Sequence, residues 1–248
     1  MRRVKRLPLG KKAVAYLGRC QKNTNRKAEA GVLDIEKEWK SARKTQTMQA
    51  VLKTLQKMMG SRERCMYCLD SHGSDIEHFR PKALHHKRMF RWRNLLLCCT
   101  ECGRLKGNRF PTDGKRPLLI DPTKEEPWEH LDFIPETGHI KARFDPRINA
   151  WSPKGEKTVE TLHLDRREAL EAGYLKTLRR LSRIVDNFLE NPSFSASHLL
   201  ESLSADDEHG LLGWIFIGTG QHHPPFKDLR EQHPLIWEKC MADFSINR

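Results

Sequence analysis

Glu77 and His78 stand side by side in the run DIEHFRPK, Asp75 to Lys82, and two Cys-x-x-Cys pairs bracket them. Cys65-Met-Tyr-Cys68 lies upstream and Cys99-Thr-Glu-Cys102 downstream, with thirty residues between Cys68 and Cys99. Each pair sets two sulfurs on one side of a tight turn, so two pairs can close a tetrahedral four-thiolate shell of the kind Zn2+ takes in structural sites. Such a shell has no open position and holds a fold together without doing chemistry. Cys98 adjoins Cys99, but only Cys99 has the two-residue spacing to Cys102. The chemistry then falls to the residues between the pairs. An imidazole can move a proton near neutral pH, and a carboxylate is a hard oxygen ligand for a divalent cation. A lone Glu-His dipeptide is commonly just a solvated loop pair, so its setting decides the matter.

Three regions must position these groups. Residues 1–60 are basic and then helical. Met48, Val51, Leu52, Leu55, Met58 and Met59 follow the three-four spacing of a helix face, and Gly60 is the expected stop. Residues 61–114 hold the cysteines and the Glu-His pair and are rich in turn formers. Residues 115–248 open on the Pro-rich stretches RPLLIDPTKEEPW and FDPRINAWSPKG, read as loops. A long helix follows, with Asp165 and Glu168 as a capping-box-like start. Its stripe is Leu170, Tyr174, Leu178, Leu181, Val185, Phe188 and Leu189, and Pro192 ends it. Shorter helices are expected around Ser197–Leu203 and near the C-terminus. Neither an internal repeat nor a low-complexity tract is present.

The 248 residues are 31% charged and carry a formal charge of +13. Ten Lys or Arg and no acidic residue fall between Met1 and Ala28, and thirteen basic against six acidic residues fall between Ser61 and Arg116. Fields of this kind attract polyanions, nucleic acid foremost. The most apolar run, LLGWIFIG from Leu211 to Gly218, is far shorter than a spanning helix needs, and AVAYL near the start is too short for a signal-peptide core. The expectation is a cytoplasmic protein with no membrane contact, LLGWIFIG being a buried strand or core helix. Seven cysteines, five of them within 38 residues, do not make a secreted disulfide framework. Cys20 and Cys240 read as small buried hydrophobes.

The Glu-His pair, then Asn94 sixteen residues after His78, then Lys106-Gly107-Asn108, all within a cysteine-stapled segment, resembles the HNH or ββα-metal endonucleases. The fuller pattern, EHFRPK, then NLLLCCTEC, then KGNRFP, is similar to the PtuB-type HNH proteins of Septu and retron-associated antiphage defence systems. The resemblance covers Cys65 to Pro111. It implies an α+β chain, mostly α-helical, with a small zinc-stapled ββα-metal module embedded in helical N- and C-terminal regions. The implied activity is hydrolysis of phosphodiester bonds in DNA or structured RNA. His78 is the implied general base, Glu77 the ligand of a catalytic Mg2+ or Mn2+, and Asn94 the brace of the loop that orients His78. Asp75 is a second carboxylate nearby. Neighbouring strand residues point to opposite faces, so Glu77 and His78 can serve one centre only if the strand is distorted or ends there.

The chain departs from that family at Gly103, where many members place Asn or His as the second metal ligand; Gly107 stands where some place another. Three readings follow: the helix ends early and Asn108 swings in, water takes the position, or cleavage is impaired. Arg80, Lys82, Arg104, Lys106 and Arg109 are the expected phosphate contacts. His85 and His86 read as exposed. The resemblance also implies a PtuA-type partner ATPase with ABC- or SMC-like heads, and a retron reverse transcriptase with its RNA and DNA in some systems. The long C-terminal helix and the Trp-containing tail are the expected docking surfaces. The alternative is a zinc-stapled nucleic-acid-binding module without catalysis.

Overall fold

The computed structural model describes residues 1–192 and 195–246. It is an α+β chain, mostly helical, with four small two-stranded sheets among the described residues. The chain divides into two compact units. One comprises Lys5–Tyr67 and Ser71–Thr112, the other Met1–Val4, Cys68–Asp70 and Asp113–Arg248.

The first unit begins with three helices, α1 (Lys11–Glu29), α2 (Ile35–Arg43) and α3 (Gln46–Met58). Asp34 and Thr45 cap α2 and α3 by accepting the backbone N–H groups of Lys37 and Met48, which satisfies donors that have no partner inside the helix. Met48, Val51 and Leu55 form the buried face of α3, Met59 packs just beyond its end, and Gly60 follows with φ +80°, a conformation that stops the helix. The three helices pack on one another, and α3 lies on strand β2 (Leu95–Cys98), all four residues of which are buried. Strand β1 (Asp75–His78) pairs antiparallel with β2, His78 opposite Leu95 and Asp75 opposite Cys98. Helix α4 (Thr100–Lys106) follows β2 directly, giving the order β, β, α.

Beyond it come β3 (Thr112–Asp113) and β4 (Arg116–Pro117), then the paired strands β5 (Leu131–Phe133) and β6 (Ile140–Ala142), and β7 (Phe144–Asp145) with β8 (Ala150–Trp151). The stretch FDPRINAWSPKG is therefore not a plain loop. It makes the β7–β8 hairpin and starts α5 (Pro153–Leu162), which Ser152 caps with Pro153 in the first turn. Helix α6 (Glu168–Glu190) buries Leu170, Tyr174, Leu181, Val185 and Phe188 as the periodicity predicts. Its start differs from expectation. Arg167 precedes the helix without a side-chain cap, and Asp165 is drawn instead into an ion pair with its neighbour Arg166.

Helices α7 (Ala196–Asp206), α8 (Leu211–Phe216), α9 (Phe226–Gln232) and α10 (Pro234–Ile246) complete the second unit. LLGWIFIG folds as the buried helix α8, held at its start by Asp207, whose carboxylate accepts the N–H groups of Leu211 and Leu212. Trp237, the tail tryptophan expected at a docking surface, is buried against Phe216, so it is part of the core. Cys240 is buried as expected, whereas Cys20 is only half-buried because it sits at the side of α1. No helix among the described residues is long and apolar enough to cross a membrane.

Candidate functional site

Two groups of side chains come together around the β1–β2–α4 segment. The first is the cysteine cluster. Cys65, Cys68, Cys99 and Cys102 are all buried, and their sulfurs lie within 4.8 Å of one another. Four sulfurs about 2.3 Å from a common centre stand about 3.8 Å apart, so the cluster can hold a metal ion, and an all-thiolate buried donor set suits Zn2+. Backbone N–H groups of Tyr67 and Cys102 point at the sulfurs of Cys65 and Cys99, each at 3.4 Å. Cys99 is also the residue that caps α4. Cys98, the competitor, stays outside the four. Its sulfur is 4.0 Å from that of Cys65, and hydrogen bonds with Cys65 and Cys99, then burial, push its thiol up, so it remains protonated.

The second group is a cleft of about 410 Å3 lined by Asp75, Glu77, His78, Lys82, Gly103, Arg104 and Asn108, among others. Strand β1 ends at His78. Glu77 and His78, which alternate in burial along the strand, thus both reach the same cleft.

His78 is 5% exposed, and its ring lies edge-on to Trp39 with centroids 4.3 Å apart. Its Nε2 donates to the carbonyl oxygen of Met89 at 3.0 Å. This assigns the tautomer: Nδ1 carries the lone pair, and it has no hydrogen-bond partner among the described residues. Burial holds the imidazole pKa down to about 3, so the ring is neutral throughout the physiological range.

Asn94 closes the 3-10 turn Trp92–Asn94 just before β2 and is buried. Its Oδ1 accepts the N–H of Arg80, its Nδ2 donates to the carbonyls of Arg80 and Arg88, and its own carbonyl accepts the N–H of Phe79. One amide therefore ties both ends of the loop that carries Met89, the partner of His78.

Glu77 has a raised pKa because burial penalises its charge, an effect that Lys106 opposes. Lys106 is the largest departure from expectation. It is a residue of 0% exposure, and its ammonium donates to Glu77 Oε1 at 2.8 Å and to the His78 carbonyl at 2.7 Å. It is internal and does not face a phosphate. An α4 side chain at this position comes back under β1, so a lysine there is a structural cation. The other oxygen, Oε2, faces Gly103: a Cβ built at Gly103 would stand 3.8 Å from it.

Helix α4 does end early. Lys106 is its last residue, and Gly107 turns the chain with φ +46° and ψ −126°, a conformation that side chains resist. Asn108 then lines the cleft. Lys82 also lines it, paired with Glu36 at 2.8 Å, and so does the exposed Arg104. Arg80 lies over the Phe110 ring at 4.9 Å, and Arg109 is exposed and folds back onto the Leu105 carbonyl; neither lines the cleft. His85 and His86 are half-buried, with His85 against Phe110. Sequence reasoning missed Trp39, Arg43 and Met89. The first two come from α2 and reach the cleft only through tertiary packing, and Met89 acts through its backbone oxygen, which no side-chain pattern reports.

No protein-family model matches the chain. It is 30% identical over 140 residues to the Septu protein PtuB of Bacillus thuringiensis, which covers 52% of this chain and 49% of that protein. It is 30% identical over 154 residues to the Septu protein PtuB of Bacillus mycoides strain KBAB4, covering 50% and 49%. A stretch of 87 residues is 37% identical to the Septu protein PtuA of the same strain, covering 29% of this chain and 11% of that one. The chain spans about half the length of the PtuB relatives it matches. Over about half of its own length, the chain is thus homologous to the Septu protein PtuB.

Proposed function

We propose that this chain is a metal-dependent endonuclease of a Septu-type antiphage defence system, hydrolysing phosphodiester bonds of DNA or structured RNA. The observation that carries this reading is His78. It is a neutral imidazole with one nitrogen pinned to a backbone carbonyl and the other without a partner among the described residues, in the same cleft as Glu77.

In this reading a water molecule gives its proton to His78 Nδ1, and the hydroxide attacks phosphorus. The P–O bond to the departing oxygen breaks, and that oxygen takes a proton from solvent. A base held at pKa about 3 is weak until an anion sits beside it. The bound phosphodiester supplies that anion and raises the proton affinity of the ring. Asn94 keeps the Met89 carbonyl in place and so keeps the tautomer. Lys82 and Arg104 hold phosphate oxygens at the rim. Glu77 Oε2, Asn108 and Asp75 offer oxygen donors in one cleft, which suits Mg2+ or Mn2+ with several waters retained. Such an ion, when bound, neutralises charge on the phosphate and the leaving oxygen.

The homology to PtuB and the segment shared with a PtuA also support a PtuA-type ATPase as the partner that controls cleavage. A reading frame for a reverse transcriptase beside this one would mark a retron form of the system.

One observation favours a second reading, a nucleic-acid-binding module that does not cut. Gly103 offers no ligand, and Lys106 already neutralises one oxygen of Glu77. Wild type and His78→Ala, assayed on plasmid DNA and structured RNA with Mg2+ or Mn2+, with and without the partner ATPase, separate the two. Divalent-dependent cleavage lost in the variant supports the nuclease. Tight binding with no cleavage by wild type under all these conditions supports the binding module.

A further inference from the structure

Helix α1 carries Lys11, Lys12, Arg19, Lys22 and Arg26, all exposed, and none of the five forms an ion pair among the described residues. At 3.6 residues per turn these positions fall within about 100° of the helix circumference and extend about 22 Å along its axis. Leu17, Gln21 and Thr24, which are buried, lie on the opposite side. Gln21 fixes the helix in the first unit by accepting the N–H of Phe90 and donating to the His86 carbonyl. The result is a band of cations along one face of α1, with no acidic residue before Glu29.

The exposed side of α6 shows what an ordinary solvated face looks like in this protein. There Lys176, Arg179 and Arg183 share a face with Glu168, Asp186 and Glu190, and a mixed-sign surface of that kind produces little net field.

We infer that the α1 ridge is a nucleic-acid docking surface that holds the phosphate backbone independently of base sequence. None of its five cations lines the cleft, and its binding requires no cleavage. Three features favour a polyphosphate over other anionic partners. The charges form a line and not a compact pocket, matching a chain that carries a charge at every nucleotide. The ridge is rich in lysine, and Val14 is its one exposed large apolar residue, whereas protein interfaces are depleted in lysine and anchored by aromatic side chains. The apolar face of α1 is consumed by the fold, so the helix has nothing to insert into a lipid surface.

The test is equilibrium binding of the full chain to labelled single-stranded and duplex oligonucleotides of unrelated sequence, as a function of salt, with no divalent cation added. The triple variant Lys12→Gln, Arg19→Gln, Lys22→Gln is compared with wild type and with Lys176→Gln, Arg179→Gln, Arg183→Gln, which removes the same net charge from α6. Far-ultraviolet circular dichroism and zinc content establish that all three fold alike. The ridge variant is expected to bind about tenfold more weakly or worse, and to lose about 2 to 3 from the slope of log K against log salt. The α6 variant is expected to stay near wild type. Equal losses in the two variants would mean that net charge alone attracts nucleic acid, and would overturn the inference. So would an unchanged ridge variant, or one that loses binding only to phosphatidylglycerol vesicles or to a poly-glutamate peptide. Failure of wild type to cleave, in contrast, bears on the nuclease reading and leaves this one standing.

Discussion

The Lys106 ammonium lies 2.8 Å from Glu77 Oε1 and 2.7 Å from the carbonyl oxygen of His78, so one buried cation from α4 holds both members of the Glu-His pair on β1. It opposes the cost of burying the Glu77 carboxylate, and the other oxygen, Oε2, faces Gly103 across the cleft. It also fastens the end of β1 to the end of α4, the two elements that border the cleft. Because Glu77 is itself mostly buried, removing Lys106 leaves its carboxyl group without its buried partner. Lys106→Met is expected to cost roughly 3 kcal/mol of unfolding free energy, measured as a lower denaturant midpoint at unchanged m-value. Glu77→Gln in the same background should recover part of the loss. A Lys106→Met protein as stable as wild type would show that the pair does not carry the β1–α4 junction.

Much of this site was legible in the sequence because it depends on local spacing. Two Cys-x-x-Cys pairs specify a four-sulfur cluster. The end of β1 at His78 was one of two ways to bring Glu77 and His78 to one centre, and the early end of α4 one of three readings at Gly103. The buried faces of α3 and α6 were legible for the same reason, since periodicity reports them directly. What was not legible depends on tertiary packing. Lys106 follows Arg104 in a basic segment and reads as another solvent cation; only the fold carries it beneath β1. Asp165 reads as a cap, but its ion pair with Arg166 leaves α6 to begin without one. FDPRINAWSPKG reads as a Pro-rich loop, although Ser152 followed by Pro153 is a helix-start signal that could have been found.

The buried His78 makes stability depend on pH in a definite direction. Its pKa is about 3 in the folded protein and about 6.5 in an unfolded chain. Above pH 6.5 both states are neutral and the group contributes nothing. As pH falls below 6.5 the unfolded state takes up a proton that the folded state refuses, so stability declines toward pH 3. At pH 5 the loss is about 2 kcal/mol relative to pH 7. Denaturant midpoints at the two pH values, compared between wild type and His78→Phe, isolate this contribution from metal release; equal pH dependence in the two proteins would refute it.

Gly103 lies where an added side chain meets Glu77 Oε2. The position has room, since a Cβ would meet only Glu77 Oε2 at 3.8 Å and Cys98 Sγ at 3.9 Å, ordinary contacts. Gly103→Asn or Gly103→His should therefore fold normally, with a small gain in helix propensity, and should place a second ligand beside Glu77. Mn2+ affinity, followed by electron paramagnetic resonance of the free ion, is expected to rise about tenfold, in line with the effect of single groups around metal sites. Unchanged affinity in a folded Gly103→His protein would mean that Glu77 does not take a divalent ion there.

Cys98 and Cys99 are adjacent in sequence but sit in different environments, and substitution should separate them. Cys99 contributes one of the four clustered sulfurs and caps α4; Cys98 ends β2 opposite Asp75 and keeps its proton. Cys99→Ser is expected to abolish stoichiometric zinc and to unfold the β1–β2–α4 segment, because a closed thiolate shell contributes folding free energy outright. Cys98→Ser is expected to retain one zinc per chain, with a modest loss of stability from placing a hydroxyl in an apolar strand position. Elemental analysis of the purified proteins, alongside amide hydrogen exchange across residues 65–106, reads both outcomes. Zinc lost from Cys98→Ser and kept by Cys99→Ser would reassign the fourth ligand.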